Sequence, residues 1–358
     1  MDSGGRRRIQ GIVLAGSFPW NDSQLDRLRP RPLLPVALQP LISYTFRWLQ
    51  TSGVEDAVVC LNHASRQVRG VLEATEAERL RLAFHEDQMP RGPAGCARDA
   101  SLVSDADTFV VADSNAIPTV PLADVLETHR ASGAVATVVV ERENPREWSL
   151  RPSRPSGMYV FERRALEQVP AGGFQDIKEN LIPHLYRAGE HVAAHVARLR
   201  APRVRSAKTY VDANYLTVAS LIERAEAPTG YVRCGEALVH ASAHVHPSAR
   251  LLGPVLVGPD CLLMQHATVV GPSVLGHGST VAPDAVLARS VAWNAALVGP
   301  KAIVDGCILG DDVVIEPNTR LCGEIRVAVR RAEVLPRALA GRTTIRPYFG
   351  WWPKPETR

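Results

Sequence analysis

Gly11-Ile12-Val13-Leu14-Ala15-Gly16 is the stretch on which the fold of this chain turns. Residues 12–15 are apolar without alternation and stop at a glycine. Such a run reads as a strand buried on both faces of a parallel sheet, handing the chain to a loop at its carboxyl end. In open α/β sheets, ligands sit in the crevice outside those carboxyl ends. The loop that follows Gly16, which runs on to Pro30-Arg31-Pro32-Leu33-Leu34-Pro35-Val36, is therefore the default place for a phosphate-bearing ligand.

Outward from this stretch, helical and extended patterns alternate. Ile42, Phe46 and Leu49 share one helical face, Gly53 ends that segment, and Ala57-Val58-Val59-Cys60-Leu61 reads as the next buried strand. Residues 65–73 read as a helix. This βαβ order implies a parallel sheet with helices on its faces. Residues 97–103 are a further helical segment. Thr108-Phe109-Val110-Val111-Ala112 and residues 134–140 are further strands.

From about Val245 the grammar changes. An apolar residue returns every six positions with Gly, Ala or Pro behind it, as in Leu256-Val257-Gly258-Pro259-Asp260, Val269-Val270-Gly271-Pro272-Ser273 and Val298-Gly299-Pro300-Lys301-Ala302. Three hexads make one coil of a β-helix, with the apolar residue inside and the small residue at the corner. The stretch to about Leu321 thus predicts roughly three to four coils. The resulting division is 1–226 for the α/β domain, 227–330 for the β-helix and 331–358 for a tail. The tail carries Tyr348, Phe349, Trp351 and Trp352, which suit either a contact surface or packing back onto the chain.

Composition sets the outer bounds. At 358 residues the chain suits about two domains. A net charge of +4, with Arg6-Arg7-Arg8 as a short basic run, gives no clustered basic face for nucleic acid. Six cysteines without a CxxC pair argue against a zinc site. With neither a signal-type apolar segment nor a run of about 18 apolar residues, the expectation is a cytoplasmic, reduced setting and no membrane role.

Leu14-Ala15-Gly16 and residues 30–36, at their mutual spacing, resemble the first signature of the sugar-1-phosphate nucleotidyltransferases, the NDP-sugar pyrophosphorylases. That signature reads Leu-Ala-Gly-Gly-x-Gly-Thr-Arg and, further on, Pro-Lys-Pro-Leu-Leu-Pro-Val. Gly92-Pro93-Ala94-Gly95-Cys96-Ala97 is similar to the family's Gly-Thr-Ala-Gly-Ala, and residues 156–161 to its Gly-Ile-Tyr-Val-Phe strand. The hexapeptide repeat resembles the β-helix appended to guanylyl- and glucose-type members. The resemblance spans about residues 9–325. It implies a Rossmann-like domain with a mostly parallel sheet, then a left-handed parallel β-helix. It implies nucleotide contacts at Leu14, Ala15, Gly16, Ser17, Gly92 and Gly95, and sugar contacts at Gly157 and Tyr159. The implied reaction is attack of a sugar-1-phosphate on the α-phosphate of an NTP, with GTP and mannose-1-phosphate the nearest pair.

Several working positions of that family are altered here. The catalytic Arg falls on Asn21 and the signature Lys on Arg31. Ser17, Pro19 and Trp20 replace residues of the glycine loop, and Pro19 offers no N–H to a phosphate. The metal-binding Asp falls on Asn115, with Asp113 two residues earlier. Asp212 matches either the second metal Asp or the N-cap of a helix running through Ile222. No Glu-Lys-Pro occurs in 141–156. Each lost group of this kind is worth about 10²–10³ in rate. The expectation is a non-catalytic member that binds a nucleotide or NDP-sugar, or pairs with an active paralogue or with itself through the β-helix. The alternative is a slow or atypical sugar-1-phosphate nucleotidyltransferase using Asp113, Asp212 and Arg31 with Mg²⁺. His266 and His277 read as turn or surface residues rather than the base of an acyltransferase, and Lys178 and Glu179 as solvated.

Overall fold

In the computed structural model, which describes residues 8–16, 25, 28–74, 80–87, 89, 91–141, 154–224 and 227–328, the opening run is the middle of a seven-stranded sheet. The strands are β1 (Ile9–Leu14), a short hairpin of β2 (Pro35–Val36) and β3 (Gln39–Pro40), then β4 (Asp56–Asn62), β5 (Arg81–Asp87), β6 (Thr108–Asp113), β7 (Ala136–Glu141), β8 (Arg154–Glu162) and β9 (Val192–Ala197). The sheet order is β5-β4-β1-β6-β8-β7-β9. All neighbours are parallel except β8, which runs antiparallel to β6 and β7.

Being central, β1 has to be apolar on both sides. Val13 joins one core with Val59 and Val110, and Ile12 joins the other with Val58 and Val111. The two strands that sequence patterning passes over, β5 and β9, are the two edges of the sheet. Half of an edge strand faces water, so β5 carries Arg81, His85, Glu86 and Asp87 around an apolar run of only three residues, Leu82-Ala83-Phe84.

The β-helix has three parallel sheets as its faces. It begins earlier than the repeat suggests. On one face Leu238 pairs with Leu256, Leu256 with Val274, Val274 with Val291, Val291 with Ile308 and Ile308 with Ile325. The prism therefore climbs five steps rather than three to four. The first coil, with Ala241-Ser242-Ala243-His244 at its corner, lacks the Gly-Pro punctuation of the later ones. Corners are turned by residues with positive φ, among them Asp260, Asp284, Asp312 and Asn318. Short polar side chains tolerate that region best. Gly276 sits where any Cβ would lie 2.6 Å from the Trp293 carbonyl carbon of the adjacent coil.

One face of the prism is apolar on both sides. Val239, Val257, Leu275 and Ala292 point into the prism. Leu238, Leu256, Val274, Val291 and Ile308 point out of it and join a third core with Val36, Tyr210, Ala213 and Val218. The last three lie on the helix Ala207–Glu223. Tyr210, fully buried, donates from its hydroxyl to Pro35 O at 2.6 Å and accepts from Trp293 Nε1 at 2.9 Å. Asn214 accepts the Ala37 N–H at 2.9 Å, in a hairpin turn whose Ala37 and Leu38 both have positive φ. The 30–36 signature, the long helix and the β-helix are thereby tied at one point, and the described residues as far as Ala328 belong to one compact unit.

Tyr210→Phe removes the shared hydroxyl and strands a buried indole N–H and a carbonyl. We expect a loss of about 1–3 kcal/mol in denaturant unfolding, with a lower midpoint and an unchanged slope. An unchanged midpoint would show that this link carries no stability.

Candidate active site

The carboxyl ends of β1, β4, β5 and β6 open on one side of the sheet, and antiparallel β8 starts there. A cavity of about 230 Å³ lies at this edge. Leu14, Gly16, Asn62, Asp87, Asp113, Gly157 and Tyr159 line it, with Gly92, Pro93 and Cys96 from the helix Gly92–Leu102 and Asp176, Ile177 and Lys178 from the turn ahead of the helix Ile182–Arg187.

Each wall has a local cause. Ala15 N donates to Cys60 O at 2.9 Å and Ser114 Oγ to Leu14 O at 2.9 Å, which pins the end of β1 between its neighbours. Gly92 has φ +74, and a Cβ there would meet Gln175 O at 2.5 Å. The corner is closed by Ala94 N donating to Gln175 O at 2.9 Å and Gln175 N to Arg91 O at 2.7 Å. Pro93 stands in the first turn of its helix, where a missing N–H costs little. Asp176 caps its own turn by accepting from Lys178 N at 2.6 Å and Glu179 N at 3.0 Å.

Of the residues expected to touch a ligand, Leu14, Gly16, Gly92, Asp113, Gly157 and Tyr159 are brought together here. Ala15 is buried in the sheet, and Gly95 gives its space to the Arg91 side chain, which pairs with Asp99. Neither lines the cavity. Arg31, half-buried in the turn Arg31–Leu33, is also not among the lining residues. Ser17, Pro19, Trp20 and Asn21 lie outside the described residues, as do 142–153 and the aromatic tail. Asp212 caps nothing: Ser206 is the N-cap, in a reciprocal box with Thr209, and Asp212 sits exposed in the second turn, paired with Lys208 at 2.9 Å. Lys178, read from sequence as merely solvated, is exposed yet lines the cavity. Asp87, Asn62 and Asp176 were not singled out at all. Asp87 ends an edge strand with only a short apolar run, and Asp176 matters only because a turn folds over the sheet edge. His266 and His277 stand exposed on the β-helix, His277 paired with Asp260.

The charges do not suit a magnesium site. Asn115, expected from the resemblance to stand at the metal position, does not line the cavity, and its Oδ1 is buried without a hydrogen-bond partner among the described residues. Its N–H is turned onto Asp113 Oδ1 at 3.0 Å. Asp113 does face the cavity, but Arg203 Nη1 stands 4.0 Å from its other oxygen. A divalent ion about 5 Å from that guanidinium would meet a repulsion of about 7 kcal/mol at an effective dielectric of 20, cancelling much of what the carboxylate offers. No group of three or more His, Cys, Asp or Glu among the described residues is arranged to hold a metal. No step is therefore derived through Mg²⁺.

At the other end of the cavity, the Cys60 thiol points to Cys96 O at 3.8 Å and the Cys96 thiol donates to Asp87 Oδ2 at 3.3 Å. Burial, with the Asp87 charge added, pushes Cys60 up to about 12 and Cys96 higher still. Burial likewise raises the Tyr159 phenol, which stacks on Phe161 with ring centres 5.7 Å apart.

Residues 11–149 match the model of the nucleotidyl transferase family. The chain is 21% identical over 346 residues to the UTP–glucose-1-phosphate uridylyltransferase of Synechocystis sp., covering 84% of this chain and 87% of that one. It is 25% identical over 346 residues to the mannose-1-phosphate guanyltransferase of Hypocrea jecorina, covering 86% and 92%. It is also 28% identical over 176 residues to the translation initiation factor eIF2B subunit epsilon of Schizosaccharomyces pombe, covering 46% of this chain and 26% of that one. No helix among the described residues is long and apolar enough to cross a membrane.

A thiol whose pKa is raised stays protonated, and so unreactive, until the pH approaches that raised value. At pH 8 a thiol of pKa about 12 is ionised roughly a thousandfold less than one near 9. Iodoacetamide at pH 8 should label the exposed Cys234 and Cys322 well before Cys60 and Cys96, read by peptide mass mapping. Comparable early labelling of Cys60 would show that the cavity's base is wetter than described.

Proposed function

Because this chain carries a nucleotidyl transferase domain of the sugar-nucleotide-synthesis type, we propose that it binds a nucleotide or NDP-sugar in the sheet-edge cavity with little or no turnover. The observation that carries this reading is the state of the metal positions. Asn115 is neutral and off the cavity, and Asp113, which lines the cavity, has the Arg203 guanidinium 4.0 Å from one of its oxygens. Nucleotidyl transfer builds negative charge on the α-phosphate and on the departing pyrophosphate, and the rate depends on cationic groups placed for that charge. Leu14, Gly16, Gly92, Gly157 and Tyr159 still line the cavity, while of the expected metal positions Asn115 carries no charge and Asp113 stands near Arg203. That one relative carries the name of a translation-factor subunit supports a use of this domain type outside transfer.

A second reading is favoured by the relatives' names. Two that match along most of this chain are named as transferases, which supports a slow sugar-1-phosphate nucleotidyltransferase. It would use Asp113, Asp212 and Arg31. Asp212 would have to leave Lys208 and turn toward the cavity, and Arg31 would have to reach it from the 31–33 turn. In either reading a paralogue or second copy would meet the β-helix on its other two faces, since the 238–308 column is covered by the chain's own helix. Sedimentation of a variant with charges placed on that column should show loss of folding, not loss of a partner.

Calorimetry with GDP-mannose and UDP-glucose, set beside pyrophosphate release from GTP with mannose-1-phosphate and UTP with glucose-1-phosphate, separates the two. We expect binding, with release at least about 10³-fold below a common enzyme rate of roughly 10 s⁻¹. Release at ordinary rates that disappears in Asp212→Ala would establish the transferase instead.

A further inference from the structure

Resting on the reading above, we propose that the cavity takes the phosphates of its ligand without a divalent cation, on the guanidinium of Arg203 and the ammonium of Lys178. Arg203 does not line the cavity through its own surface. It stands directly behind Gly157, whose φ is +84 and at which a Cβ would lie 2.7 Å from Arg203 Nη2 and 3.1 Å from Asp113 Cβ. The missing side chain of Gly157 leaves the room that the Arg203 guanidinium fills directly behind the cavity wall, largely buried, with 15% of its side chain exposed.

The main chain that bears Arg203 is fixed to the turn after β6. Ala116 bridges to Arg203, Val204 N donates to Asn115 O at 2.9 Å and Ile117 N to Pro202 O at 2.9 Å. The segment that bears Asn115 thus no longer presents a carboxylate but fixes a cation. Among the described residues Arg203 makes one hydrogen bond, to Pro155 O at 3.2 Å, and its approach to Asp113 at 4.0 Å is too long for another. Five N–H donors are available to a guanidinium, so most are unused.

Lys178 faces the same space. Its ammonium has no ion pair or hydrogen bond among the described residues, and desolvation with repulsion from Arg203 makes it easier to deprotonate. An entering phosphate would relieve that repulsion. The nearby carboxylates are already engaged. Asp113 is shared between Arg203 and the Asn115 N–H, Asp176 caps its own turn, and Asp87 accepts from Arg91 N at 2.8 Å and from Cys96 at the far end. The arrangement suits a diphosphate near Gly157: a planar fork for two oxygens and a mobile point charge for a third.

The test is calorimetric titration of the full chain with GDP-mannose, UDP-glucose and inorganic pyrophosphate, in EDTA and in millimolar Mg²⁺. We expect dissociation constants equal within about twofold in the two media. Arg203→Ala and Lys178→Gln should each weaken binding about tenfold or more, with Arg203→Lys recovering part of the loss. Lys178 is exposed, so Lys178→Gln keeps the test open if Arg203→Ala fails to fold. Binding that needs Mg²⁺, or that survives both substitutions in variants of native thermal stability, overturns this inference and leaves the proposed function standing. No binding of any probe in either medium overturns both.

Discussion

The outward column Leu238, Leu256, Val274, Val291 and Ile308 packs against the helix Ala207–Glu223, and Trp293 reaches past it to the Tyr210 hydroxyl. The other constraints hang on this contact. A β-helix face exposed to water needs apolar residues only on its inner side. This one needs them on both, because the chain closes on itself here. Tyr210 then passes the constraint to Pro35 and Asn214 passes it to Ala37, so the signature following the first loop is held from two sides.

That rigidity extends to the cavity edge. The end of β1 is tied to Cys60 and to Ser114, and the turn after β6 is tied through Asn115, Ala116 and Ile117 to the segment carrying Arg203. The carboxamide of Asn115 is therefore not a local matter. It accompanies a turn folded so that a neighbouring carboxylate meets a guanidinium beneath a glycine.

Much of the cavity was readable in advance wherever a residue's place follows from strand direction. Leu14, Gly16 and Asp113 lie at or just past the carboxyl ends of parallel strands, which such a sheet gathers, and Gly157 and Tyr159 lie within antiparallel β8 beside them. What was not readable depends on packing between distant segments. Gly95 looked like part of a nucleotide loop, yet it makes room for Arg91. Asp212 looked like a cap or a ligand, yet Ser206 starts the helix a turn and a half earlier because its hydroxyl forms the reciprocal box with Thr209. Arg203 had no motif around it, since it matters only through Gly157, whose place in the chain is far away.

The amino-acid order by itself determined the architecture: the buried run 12–15, the βαβ alternation and the six-residue period each depend on local hydrophobic spacing, which is legible one segment at a time. Only the tertiary structure decided which β-helix face is covered, where the two cations stand and which carboxylates remain available. Those are sums over side chains far apart in sequence, and charge and burial act through space rather than along the chain.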